Sequence, residues 1–192
     1  MRKNIRLVTI QPYDVYQKIL AEGRYVCDYS LTNNYDCGYD HFKEPYKWLC
    51  RKMVDRIGAP PEGVEFPVWA WYRYGDNEDF SDWNSDGRKY VKITIKIDSS
   101  RVVLTDFNDW HCVLNNCPLI PESVPEEEFD AEWERYDAAG PKAIEATWER
   151  IFRDDGSYVQ ATFWELRLAD IVEAEEFISQ RNDFNNGSNE SA

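Results

Sequence analysis

Histidine is almost absent: His41 and His111 are the only two in 192 residues. They do not share the close helical spacing that puts two imidazoles on one face, so zinc hydrolysis of the HExxH kind is excluded. The five cysteines, Cys27, Cys37, Cys50, Cys112 and Cys117, contain no CxxC pair. A disulfide framework or a standard zinc site is therefore not expected, and reduced thiols in a cytoplasmic protein are. No apolar run approaches the roughly eighteen residues of a membrane span, and Met1-Arg-Lys leads into an alternating segment rather than a signal-peptide core. The motifs GxSxG, GxxxxGK[ST] and GxGxxG are all missing, which leaves hydrolase-elbow, P-loop and Rossmann readings without a basis.

Basic charge is scarce in the last part of the chain. Residues 118–192 hold 6 Lys/Arg against 19 Asp/Glu, whereas residues 1–117 hold 16 against 17, and the net charge is −14. Coulomb repulsion disfavours general nucleic-acid binding through the acidic part and favours a basic protein surface as partner.

Rings are abundant, with 8 Trp, 12 Tyr and 9 Phe, and the length suits one domain with a substantial core. Residues 5–11, IRLVTIQ, read as a first strand, and Pro12 opens a helix that carries Val15, Ile19 and Leu20 and ends at Gly23. Residues 24–28 read as a short strand and residues 29–40 as an irregular loop. Apolar residues at helical spacing predict a helix over residues 42–57, and FPVWAWYRY over residues 66–74 reads as a strand with Trp69 and Trp71 on one face. Residues 75–89 form an acidic loop holding Phe80 and Trp83. Strict alternation over residues 90–97 predicts a half-buried strand.

In residues 101–116, RVVLTDFNDWHCVLNN, a β-branched run meets a capping Thr105 or Asp106 and then a short helix with Phe107, Trp110, Val113 and Leu114 on one side. Two acidic helical segments follow, then a strand over residues 158–168; residues 171–178 fit a strand or a short helix. The expected fold is one α+β domain over residues 1–181. It has a mostly antiparallel sheet, helices packed on one face, an acidic helical insertion at about 122–153, and a disordered tail at 182–192.

His111, beside Trp110, is placed to serve as acid, base or donor. Gln160 and Glu165, five residues apart in a regular strand, face opposite sides. Glu165 shares its side with Ala161 and Phe163, apolar neighbours that would raise a carboxyl pKa under cover, which makes it the candidate acid. No metal set is apparent.

The blocks YKWLCRKMVDRI, PVWAWYRYG, VVLTDFNDWHCVLNN and VQATFWEL together resemble the bacterial and phage family called domain of unknown function 3841, over about residues 5–178. That resemblance implies kinship and no activity. More faintly, the opening strand, VYQKIL and AEGRY resemble the start of ADP-ribosyltransferase-like proteins. This second resemblance implies NAD as cofactor, with Thr9 or Gln11 as the polar first-strand residue that helps hold it. Glu165 would stand where a late strand supplies the acid that stabilises an oxocarbenium-like ribose. The Arg or His usual at the first position and a Ser-Thr-Ser block are missing here, so a decayed relative is the companion reading. The expected cleft is lined by Trp69, Trp71, Trp110 and His111, with Glu165 as acid. The alternative class is a non-enzymatic acidic binding or inhibitor protein of bacterial or phage conflict. It would engage a basic protein surface through residues 126–134 and 173–176.

Overall fold

Alternation and β-branching organise the chain around one sheet. A computed structural model of the chain describes residues 3–27, 42–76, 79–81 and 83–180. The expected loop at 29–40, His41 and the expected tail at 182–192 lie outside the described residues. Among the described residues no helix is long and apolar enough to cross a membrane.

The chain runs β1 (Asn4–Pro12), α1 (Tyr13–Glu22), β2 (Arg24–Tyr25), α2 (Lys43–Ile57), β3 (Val68–Tyr74) and β4 (Lys89–Asp98). It continues through β5 (Val103–Asp106), α3 (Phe107–Leu114), α4 (Phe129–Ala139), α5 (Pro141–Thr147), β6 (Tyr158–Phe163), β7 (Leu166–Arg167) and β8 (Ile171–Ile178). Six strands form one sheet in the order β5-β6-β3-β1-β4-β8, with every pairing antiparallel, and β2 and β7 form a small second sheet. This is the expected α+β architecture, and the acidic segments form the two helices α4 and α5. Residues 171–178, ambiguous by pattern, are a strand because β4 offers them a ladder from Lys89↔Ile178 to Ile95↔Ile171.

The expectation of helices on one face is corrected by the register. Leu7 pairs with Ile95 and Val8 with Thr94, so Leu7 and Val8 mark opposite faces. On the Leu7 face, Ile93, Ile95, Ala70, Ala161 and Phe163 pack with Ile19 of α1. Val8 pairs with Trp71, so Trp69 and Trp71 belong to the other face. There Val103 and Trp69 pack with Trp48, Leu49 and Met53 of α2 and with Trp110 and Val113 of α3. A chain this rich in rings has enough apolar surface to cover both faces.

Two further departures have local causes. The strand expected over residues 158–168 breaks after Phe163, because β7 leaves the main sheet to pair with β2 through Arg24↔Arg167 and Tyr25↔Leu166. α1 starts at Tyr13 rather than Pro12, since Pro12 holds ψ at 146° and still pairs with Tyr90 in the ladder. α1 ends where expected, at Gly23, whose φ of 75° is left-handed.

The ladder between β1 and β4 is long, from Asn4↔Asp98 to Pro12↔Tyr90, but the ladder between β1 and β3 is reduced to the single pair Val8↔Trp71. The sheet is therefore split along its middle.

Candidate functional site

A hollow of about 200 Å³ occupies that split. Thr9 and Gln11 come from the end of β1, Tyr25 from β2, Trp69 and Trp71 from β3, and Gln160 from β6. Trp83, from the loop before β4, closes one side. The ladder Trp71↔Gln160 and Thr105↔Gln160 fixes the amide of Gln160 on the Trp71 face. The signal for it in the sequence was simple alternation: Gln160 shares a face with Thr162, whose cross-strand partner is Trp69.

Side chains replace the missing backbone ladder. The Thr9 hydroxyl donates to the carbonyl of Trp69 at 2.9 Å, and Gln11 Nε2 donates to Thr9 Oγ1 at 2.9 Å. Among the described residues, the Oε1 of Gln11 and the amide of the half-buried Gln160 have no hydrogen-bond partner. Among the described residues, Trp69 Nε1 is enclosed by protein and has no partner. Two other well-buried indoles behave differently: Trp148 Nε1 donates to Cys117 O at 2.8 Å and Trp164 Nε1 to Gly58 O at 2.9 Å. A buried donor without a partner costs about 1–3 kcal/mol. Thr105 Oγ1, across the ladder from Gln160, is likewise buried and unpaired.

Electrostatically the hollow is neutral. Among its described lining residues there is no Asp, Glu, Lys, Arg or His. The polar side chains of its lining include the amides of Gln11 and Gln160, set among Tyr25, Trp71 and Trp83. The same lining also includes Tyr25 and Cys27, whose hydroxyl and thiol are its titratable groups.

The residues expected to form a site are thus only partly brought together. Thr9, Gln11, Trp69 and Trp71 line the one hollow. Trp110 stands behind it, buried, with its ring 5.4 Å from that of Trp69 and 5.5 Å from that of Tyr46. His111 is exposed on α3, its Nδ1 2.9 Å from Phe107 O and its ring edge-on to Phe107, and it does not line the hollow.

Glu165 is also elsewhere. The strand bends at Trp164, so the alternation that would have set Glu165 beside Ala161 and Phe163 ends before it. Instead of apolar neighbours it has two guanidinium groups: Arg167 Nε donates to it at 2.6 Å and Arg24 Nη1 at 3.5 Å. It lines a separate hollow with Arg101, Trp164 and Arg167. Three cationic side chains of β2, β7 and the turn before β5 are held together by Glu165 and Asp170, with Arg101 bonded to Asp170 at 2.8 Å. This is a tie between the two sheets. The convergence of Glu165 and His111 on one cleft is not found.

The capping stretch before α3 is built as its sequence implied, with Asp106 as the cap. Its Oδ1 accepts from the N–H groups of Asn108 and Asp109 at 2.9 and 3.0 Å. Arg153 braces the same turn through Asp109 at 3.0 Å and Glu122 at 3.1 Å. Burial pushes the Asp109 carboxyl above its ordinary pKa, against the pull of Arg153 and reinforced by nearby Asp106. The free first-turn N–H groups are thus used by the protein itself. Among the described residues Cys50, Cys112 and Cys117 form no disulfide, and burial pushes the Cys50 thiol up to about 12, so a nucleophilic role for it is unsupported. Among the described residues no cluster of His, Cys, Asp or Glu could hold a metal ion.

A family model described as "Domain of unknown function (DUF3841)" matches residues 6–172. The chain belongs to that family. No curated protein and no solved structure matches it. The DUF3841 span takes in Thr9, Gln11, Trp69, Trp71 and Gln160 together, along with Asp106 and Arg153, and ends on the second residue of β8. The split of the sheet thus lies within the DUF3841 part of the chain.

Proposed function

We propose that the chain binds a nicotinamide-type nucleotide through the ring and carboxamide of its nicotinamide end, and that it does so without turning the ligand over. The observation that carries this reading is the neutral split-sheet hollow, in which the Gln160 amide and the spare Gln11 oxygen stand among the rings of the lining. A carboxamide has one acceptor and two donors, and the hollow presents the complement. The resemblance of the opening strand and helix to ADP-ribosyltransferase-like proteins supports NAD as the nucleotide, since Thr9 and Gln11 are the first-strand residues it singles out. At about 200 Å³ the hollow takes one ring, and the ribose and phosphates extend beyond it.

The late strand contributes an amide where an oxocarbenium-stabilising reaction would need a carboxylate. Gln160 faces the hollow, whereas Glu165 is engaged by arginines in another one. This supports a decayed relative of NAD-using enzymes over an active one. The chemistry left to the chain's own residues is to orient a carboxamide and to exclude water from a ring face.

Thermal-shift and calorimetric titration with NAD, free nicotinamide and adenosine nucleotides test the reading. Binding of NAD and nicotinamide, weakened about tenfold in Gln160→Ala and accompanied by no release of nicotinamide over hours, is the expected result; a ligand at a hundred times its Kd adds about 2.7 kcal/mol. Binding of adenosine nucleotides alone, or no binding at all, overturns it. Release of nicotinamide by the wild-type chain would show an enzyme instead.

A further inference from the structure

α4 stands apart from the rest of the described helices. It is the one α-helix among them with no buried residue, and it packs on α5 rather than on the sheet. Its sequence nevertheless spends two large rings: Phe129 is 43% exposed and Trp133 is 37% exposed. One helical turn apart, they lie on the same face, with centroids 6.3 Å apart. Seven carboxylates surround them in residues 126–139, namely Glu126, Glu127, Glu128, Asp130, Glu132, Glu134 and Asp137, against the single cation Arg135. That arginine is taken up by Glu132 in the preceding turn.

Solubility and the helix dipole account for acids at the start of α4. They do not account for a phenyl ring and an indole left part-exposed to water, because exposed apolar area is unfavourable and neither ring belongs to a core cluster. We propose that the Phe129–Trp133 face of α4 is a docking surface for a basic amphipathic helix of a partner protein. Apolar anchors of that helix would cover the two rings while its lysines and arginines meet the surrounding carboxylates. Charge complementarity chooses this occupant: a second copy of the chain would bring seven more carboxylates to the same contact, and an acidic or neutral segment would leave the existing ones uncompensated. None of the α4 residues lines the split-sheet hollow, so the surface does not depend on it.

Isothermal titration of the full chain with a Lys/Leu amphipathic peptide of about 16 residues, and with its Glu/Leu counterpart, tests the proposal. The expected result is one-to-one binding of the basic peptide, none of the acidic one, and about tenfold weaker binding when salt rises from about 0.05 to 0.3 M. Phe129→Ala/Trp133→Ala should weaken the basic peptide about tenfold or more at the higher salt, and Glu127→Gln/Glu128→Gln/Glu134→Gln should weaken it chiefly at the lower. Neither variant removes a core residue, and far-ultraviolet circular dichroism with a thermal melt verifies that each is folded. Binding by the double ring variant that matches wild type shows plain charge attraction and overturns the docking face, as does equal binding of the Glu/Leu peptide or absence of binding by the basic one.

Discussion

The hydroxyl of Thr9 reaches across to the Trp69 carbonyl at 2.9 Å just where the backbone ladder between β1 and β3 has given out. One side chain thus closes the sheet at its centre while leaving room for a hollow beside it. Thr9→Val keeps the shape and removes the donor. The carbonyl of Trp69 then loses its partner and Gln11 Nε2 loses its acceptor. Urea denaturation should show a loss of about 1–2 kcal/mol, and nicotinamide binding should weaken because Gln11 is no longer held. Unchanged stability would mean that Thr9 is not the tie.

Glu165→Gln separates a structural carboxylate from a catalytic one. Glu165 is nearly covered, at 10% side-chain exposure, but Arg24 and Arg167 are 54% and 53% exposed. Solvent screening of those guanidinium groups keeps the loss modest, about 1 kcal/mol, seen as a lower melting temperature. The thermal shift produced by nicotinamide nucleotides should stay as in wild type. If melting is unchanged and ligand binding collapses, Glu165 belongs to the site after all.

Gly156 is needed for a close approach rather than for an unusual φ. A Cβ built on it would overlap Oδ2 of Asp106, the carboxylate that caps α3 and lies 3.5 Å from Arg153. Gly156→Ala must displace the cap or the loop, and should cost about 1–3 kcal/mol in chemical denaturation. A variant as stable as wild type would show that the loop yields freely there.

Acid titration has a readable sign at Asp86. Partial burial works against its charge, but the Arg88 N–H, the Tyr90 hydroxyl at 2.7 Å and the Arg88 side chain overcome this and hold its pKa down at about 2. A carboxyl whose folded pKa is depressed stabilises the fold fully above its unfolded pKa, about 3.9. That contribution is lost as pH falls from about 4 through about 2. Asp86→Asn should therefore melt below wild type at pH 7, with the gap closing across that acid window. A gap independent of pH would assign the effect to packing around the buried Tyr90 ring instead.

Much of the architecture was legible from local pattern. Period-two alternation in residues 90–97 is β4, helical spacing around Leu49 and Met53 is α2, and Gly23 ends α1, because these depend on neighbours within a few residues. Trp69 and Trp71 were recognisable as sharing one face of β3, since strand alternation sets which face each side chain takes. The pairing of β7 with β2 was not legible, and it turned Glu165 from an apolar face toward two arginines. Gln160 reached the hollow by the plain alternation of β6, whereas the bend at Trp164 ended that alternation before Glu165.

The sequence by itself determined which segments are strands and helices, where acid accumulates and which rings share a strand face, because each follows from chain geometry over a few residues. Only the tertiary structure decided that helices cover both faces, that β1 and β3 part after a single pair, and that a carboxylate and an imidazole fail to meet. Those outcomes depend on which distant strands share hydrogen bonds, a competition among backbone groups that are alike in every residue except proline.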